Sequence, residues 1–359
     1  MELRFEPNGK ITKLLCRPDG ERNWSSAKLG AALLEERSSE IRAELEDLSN
    51  YVRDTDDMRE ELDPGWREYL WHLTRIRQCG DALHAAMFDE ADQRAAEMIA
   101  RIERLPVGSE LIVHCSEEDG TLPLGFTFSQ QEPIAFTRPS ISDFAGFWLT
   151  RFRITMLVDG GGCDRNDLAV PPNEFSELYA LHQEDSDCTL IPGIKPPIRR
   201  ICYTWADARS AYAEMAAYGS VVFILAHSNG DWLELSNSER MESVRFKRML
   251  HSRRFPTPPV LVILNCCRSV AGPEQRSLLS CVARRGFCGL VGTEAGILNK
   301  HALRCGLRLI GQLEGGNSLG EAFDKMQYAP DLFPLNLLYT CYADREFRLG
   351  ALAPQLTAA

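Results

Sequence analysis

From about Ser26 to Leu105, apolar residues recur at helical spacing, with Leu33, Ile41, Leu45, Leu48 and Val52 in one run and Ala91, Ala95, Met98 and Ile102 in a later one. Steps of three, four or eight residues line one face of a helix. Between these runs Trp66, Leu70, Leu73, Leu83 and Met87 predict a further helix, opened by the start signal Asp63-Pro64. Three helices packed on one another are expected. Beyond Pro106 the pattern changes to short β-branched and apolar runs separated by turns. Glu110–Cys115, Arg153–Val158, Arg199–Trp205, Val221–Ala226, Val260–Leu264, Phe287–Gly292 and Leu335–Tyr342 read as strands. Helical stretches near 207–218, 243–252, 274–285 and 300–326 lie between the later strands, and 116–147 and 159–198 read as long loops. Near-continuous apolar strands alternating with helices predict an α/β fold, a mostly parallel sheet sandwiched by helices and preceded by an N-terminal helical layer.

The expected division is a segment and helical layer over 1–105 packed on the core, an α/β domain over 106–350 and a tail over 351–359. Leu105-Pro106-Val107-Gly108 is too short to be a flexible linker, so the helices should fold with the rest. Residues 35–104 carry 19 Asp/Glu against 10 Arg, most of the formal charge of −11, and read as a solvated helical face. That balance argues against nucleic-acid binding, which needs concentrated Lys and Arg. No stretch reaches the roughly 18 apolar residues of a spanning helix, and the first residues lack the pattern of a secretory signal. The chain is expected in the cytoplasm, off the membrane. Its twelve cysteines show neither zinc-site spacing nor a disulfide framework, so reduced thiols, and no metal or other cofactor, are expected. Nothing in the pattern indicates an oligomeric state.

Two of the strongest strands run into reactive side chains. Val221–Ala226 leads to His227-Ser228-Asn229-Gly230-Asp231, and Val260–Leu264 leads to Asn265-Cys266-Cys267-Arg268-Ser269. In an open α/β sheet, functional groups collect beyond the carboxyl ends of the strands. There an imidazole can take a thiol proton and the thiolate can attack a carbonyl carbon, with backbone N–H groups of the Ser228 turn receiving the oxyanion. The bland alternatives are a hydrogen-bonded structural histidine and inert buried cysteines. Reading Cys266-Cys267 as metal ligands lacks a second Cys/His pair at a matching interval. A serine hydrolase lacks the G-x-S-x-G elbow. No G-x-x-x-x-G-K-[ST] phosphate loop is present.

LAHSNGD (225–231) and ILNCCRS (263–269), followed in order by VGTEA (291–295), GGNSLGEAFDKM (315–326) and PLNLLYTCYADREFRL (334–349), resemble the motifs of the CHAT family of caspase-like cysteine peptidases. CGDALHAAMF (79–88) is similar to the helical region that precedes many such domains. The resemblance implies a catalytic dyad of His227 and Cys267, with Cys266 in the family's small-residue position. It implies an oxyanion site at the backbone of Ser228 and Cys267, and a substrate pocket lined by Asn265, two residues before the nucleophile. Asp231 and Glu294 lie close in sequence to the reacting groups and could add negative charge there. A neutral Asn265 compensates a buried Arg or Lys poorly, so a neutral residue is expected on the amino side of the cut bond. Ala226 and Ser228 stand where most relatives have glycines. Bacterial relatives often cut one dedicated protein in antiviral defence or programmed death, gasdermin-like proteins among them, which implies a protein substrate. The rival readings are a non-catalytic CHAT-like scaffold that binds a partner, and thiol-dependent acyl transfer on a small molecule.

Overall fold

A computed structural model of the chain describes all residues except 9, 55–61, 89–92, 116–121, 130–140, 165–166, 172, 184–190, 192–197, 230, 237–238, 254–257, 271–275 and 351–359. The expected tail, Gly230 and the side chain of Trp66 lie outside the described residues. The chain packs as two compact units. One comprises Met1–Asp159 with 271–276 and Glu294–Gly296, and the other comprises Gly160–Val270, Ser277–Thr293 and 297–359.

The first unit opens on alternating residues, Leu3 and Phe5 buried between Glu2, Arg4 and Glu6. Such alternation makes a strand with one covered face. Strands β1 (Glu2–Asn8), β2 (Ile11–Arg17) and β3 (Ser25–Gly30) form an antiparallel meander. Helices α1 (Ala31–Asp54), α2 (Leu62–Phe88) and α3 (Gln93–Glu103) follow and bury Ile41, Leu45, Leu73, Leu83, Met98 and Ile102. The helical periodicity of the sequence is thus realised as three helices. Strand β4 (Ser109–Cys115) then pairs with β1, and β5 (Phe152–Val158), after the short helix α4 (Trp148–Arg151), pairs with β4. The sheet order is β3-β2-β1-β4-β5, parallel only across β1, β4 and β5. Two strands expected in the later sheet therefore complete this one, and the units divide at 159/160, whereas the change of sequence pattern predicts a boundary at 105/106.

The second unit contains β6 (Ala169–Val170), β7 (Phe175–Leu181), β8 (Ile198–Cys202), α5 (Trp205–Glu214), β9 (Gly219–Leu225), β10 (His227–Ser228), β11 (Trp232–Ser236), β12 (Glu239–Glu242), α6 (Ser243–Leu250) and β13 (Val260–Asn265). After α7 (Arg276–Leu279) come β14 (Phe287–Thr293), α8 (Asn299–Glu314), α9 (Leu319–Gln327), β15 (Tyr339–Ala343) and β16 (Arg348–Leu349). Its main sheet has the order β15-β14-β13-β9-β7-β8, parallel except for β15. Every residue of β7, β9, β13 and β14 is buried, as befits parallel strands covered on both faces.

Strand β7 lies within the stretch expected to be a loop. The single helix expected over 300–326 is two, because Gly316 (φ +84°) ends one segment and Ser318 caps the next in a reciprocal capping box with Glu321. Residues 335–338 form a 3-10 turn ahead of β15. The mixed α/β architecture with its mostly parallel main sheet is as expected.

Candidate active site

The site is built from three neighbouring strand ends of the second unit. Leu225 of β9 pairs with Asn265 of β13, and the Ala226 N–H donates to the Asn265 carbonyl at 3.3 Å. Two residues further along each chain stand His227 and Cys267, so the register carries imidazole and thiol to adjacent carboxyl ends. His227 is exposed and Cys267 half-buried, with its thiol 3.9 Å from the Ile297 carbonyl.

What fixes Cys267 is the turn that follows it. Arg268 has φ +53°, the one non-glycine residue with positive φ among the described residues, so the chain reverses immediately after the thiol. Backbone held in this region costs free energy and persists only where its surroundings hold it. Here Ser269 and Thr293 do so. The Ser269 hydroxyl accepts from the Thr293 N–H (2.7 Å) and donates to the Leu264 carbonyl (3.1 Å), while the Thr293 hydroxyl donates to the Cys266 carbonyl (2.7 Å). A Cβ at Gly292 would lie 2.5 Å from the Ser269 hydroxyl and 2.7 Å from Val270, so only glycine admits the turn. The sequence motifs around 263–269 and 291–295 are thus two halves of one clamp.

The adjacent thiols differ. Cys266 is 1 % exposed, and burial, then the neighbouring Cys267, raises its pKa. It is a packed core thiol. Asn229 closes the turn after His227 with its side-chain oxygen, which accepts from the N–H groups of Asp231 (3.1 Å) and Trp232 (3.3 Å). Ser228 is half-buried and Asp231 exposed, the latter's carbonyl accepting from Ser243.

Two expected pocket residues are committed elsewhere. Asn265 is wholly buried; its Oδ1 accepts from the Tyr339 hydroxyl at 2.7 Å, and its amide lies against Phe223 and the Gly306 backbone of α8. Glu294, also wholly buried, groups with the first unit and holds Arg42 of α1, Nε to Oε2 3.0 Å.

One residue of the site is not among those the sequence pattern singles out. His182 follows β7 directly, its N–H donating to the Leu225 carbonyl (2.8 Å), and its buried ring packs edge-on against His227 with centroids 4.5 Å apart. The run FSELYALH carries the signal, an apolar strand ending in histidine, but Ser176 and Glu177 mask it. Among the described residues no group of three His, Cys, Asp or Glu side chains is disposed to hold a metal ion, and no helix is long and apolar enough to cross a membrane.

No protein-family profile matches the chain, and no curated protein does. Solved structures do. The chain superposes on one in the crystal structure of the Saccharomyces cerevisiae separase–securin complex with a TM-score of 0.54 and 11% identity, over 95% of its own length. It spans 30% of that chain's length. Separase is a caspase-like cysteine peptidase, and at this identity the likeness shows the fold. The fold is caspase-like.

Proposed function

We propose that this chain is a cysteine endopeptidase that cleaves a protein partner with His227 and Cys267. The observation that carries the reading is the β9–β13 register, which brings these two residues to neighbouring strand ends of a caspase-like sheet. His227 takes the Cys267 proton as sulfur bonds to the carbonyl carbon. The oxyanion is received by the backbone N–H groups of Ser228 and Cys267. His227 then returns the proton to the departing amine, and water, deprotonated by His227, hydrolyses the thioester.

The resemblance to CHAT peptidases extends this to a single dedicated substrate in bacterial antiviral defence or programmed death, a gasdermin-like protein being one candidate. The neighbour's complex with securin supports a protein as the partner. Asn265 and the ion pair of Glu294 with Arg42 favour a neutral residue on the amino side of the cut bond, since neither offers a free carboxylate to a substrate cation. Asp231, exposed, is then the remaining carboxylate of the expected pocket.

The deciding experiment is labelling with a peptidyl electrophile, followed by cleavage of a proteome-derived peptide library. Labelling confined to Cys267, with turnover lost in Cys267→Ala and His227→Ala, is expected. Retained partner binding and cellular effect in Cys267→Ala would instead establish the scaffold. Turnover of small amides with none of peptides would establish small-molecule acyl transfer. More than about tenfold selectivity for Arg or Lys, roughly 1.4 kcal/mol, would assign Asp231 to the pocket.

A further inference from the structure

We propose that Cys163 and Cys288 are a modification site, a thiol pair that closes a reversible intramolecular disulfide by exchange with a low-molecular-weight disulfide. Their sulfurs lie 3.4 Å apart although the residues are 125 positions apart in sequence. A disulfide needs about 2.05 Å, so closure asks for little more than side-chain rotation and a small approach of the two backbones. Those backbones are already tied. The Gly162 N–H donates to the Phe287 carbonyl (2.9 Å) and the Gly286 N–H to the Gly162 carbonyl (3.0 Å), within two residues of each cysteine. Gly160, Gly162 and Gly286 all have positive φ, so this crossing is drawn by glycines that let the two segments meet.

The two thiols divide the chemistry between them. Cys163 is half-buried and open to a small reagent, whereas Cys288 is 2 % exposed at the start of β14. Burial, then the neighbouring Cys163, raises the Cys288 pKa well above its ordinary value. The Cys163 thiolate attacks one sulfur of oxidised glutathione, forming a mixed disulfide and releasing one glutathione thiolate. Cys288 then loses its proton to solvent, and its thiolate attacks the Cys163 sulfur and expels the second glutathione. Two protein thiols are oxidised and one glutathione disulfide is reduced to two thiols, so electrons and protons balance. The resulting bond staples the first residues of the second unit to the amino end of β14, the end of that strand remote from Thr293 and the Cys267 turn. It does not depend on the peptidase reading.

The full-length chain, fully reduced, is incubated with glutathione redox buffers of increasing disulfide content, then alkylated and mapped by mass spectrometry without reduction. A Cys163–Cys288 linked peptide pair, two hydrogens lighter and cleaved by dithiothreitol, is expected. Its rate of closure should rise about tenfold per pH unit near neutrality, because a buried thiol must ionise. Oxidised protein should melt at least about 3 °C higher, since the closed loop is long. Cys288→Ser should stop at a glutathione adduct on Cys163, and Cys163→Ser should leave Cys288 unmodified. A wild-type chain that stops at the Cys163 adduct, or in which alkylation of Cys288 is unchanged by the redox buffer, overturns the proposal.

Discussion

Both sheets present cysteine and histidine at a strand's carboxyl end, yet one arrangement can support a dyad and the other cannot. In the first unit His114 and Cys115 are consecutive on β4, so the strand's alternation sends them to opposite faces. His114 lies near Glu2 (3.9 Å), and burial lowers its pKa. In the second unit, His227 and Cys267 come from different strands whose register aligns them. Chemistry at a strand end thus requires neighbours in register, not residue types in sequence. The largest effect that tests this is on turnover. Cys267→Ala and His227→Ala should each lower peptide cleavage by at least about 10³-fold, while Cys115→Ala and His114→Ala stay within about twofold. A comparable loss in the β4 variants would break the comparison.

The second contrast concerns ion pairs. In the first unit Arg42, whose side chain is 10% exposed, holds the wholly buried Glu294, whereas Arg200 and Glu214 of the second unit are both half in water. Removing one member of a buried pair strands a charge, at a cost of about 3–5 kcal/mol, while an exposed pair contributes about 0–1 kcal/mol. Arg42→Ala should therefore lower stability to urea by several times as much as Arg200→Ala. Equal losses would place Glu294 in a wetter site than its burial implies.

What could be read in advance follows the same division. Strands β9, β13 and β14 are uninterrupted apolar runs, so VVFILA, VLVIL and FCGLVG declare themselves, and with them the residues at their ends. Strand β7 sits beside β9 in the same sheet but includes Glu177, a charge the sequence places in a loop. Only the fold shows that Arg199 (2.7 Å) and Tyr179 (3.1 Å) both donate to its Oε2. With β7 hidden, His182 at its end is hidden too. The three strands of the first thirty residues are not among those the sequence pattern predicts: Leu3, Phe5 and Leu14 are buried there, but the sheet is completed by β4 and β5, over 75 residues away, a pairing no local pattern encodes.

The buried Glu177 gives the third test, on pH. Glu314 at the end of α8 shares Arg199 with it, the Arg199–Glu314 distance being 2.8 Å. Burial, then the neighbouring Glu177, pushes the Glu314 carboxyl up to about 8. The folded chain therefore holds a proton there that the unfolded chain has lost above about pH 4.5. Stability from this group is full below that value, falls as pH rises towards 8 and is flat beyond. Glu314→Gln should reduce that slope in urea melts between pH 5 and 8, an effect on the order of 3 kcal/mol. An unchanged slope would mean that Glu314 is ionised across the window.

The smallest effect compares two glycines on one helix of the second unit. A Cβ at Gly306 would lie 2.2 Å from the Phe223 ring and 2.3 Å from the Asn265 amide, against two residues of the strands that carry the site. At Gly311, five residues further along α8, nothing beyond its chain neighbours and the helix's own backbone lies within 4 Å of that position. Both changes to alanine gain helix propensity, about 0.5–1 kcal/mol, because glycine loses more backbone freedom on folding. At Gly306 that gain is outweighed, since Phe223 sits in the fully packed β9 and Asn265 is tied to Tyr339, so neither can retreat; overpacking of this kind costs about 1–3 kcal/mol. Gly311→Ala should raise the melting temperature by a degree or two, and Gly306→Ala should lower it and slow any Cys267-dependent turnover, because the displaced Asn265 lies two residues before the thiol. A stabilising Gly306→Ala would show that α8 can move off the sheet, and that the packing beneath the site is looser than its burial indicates.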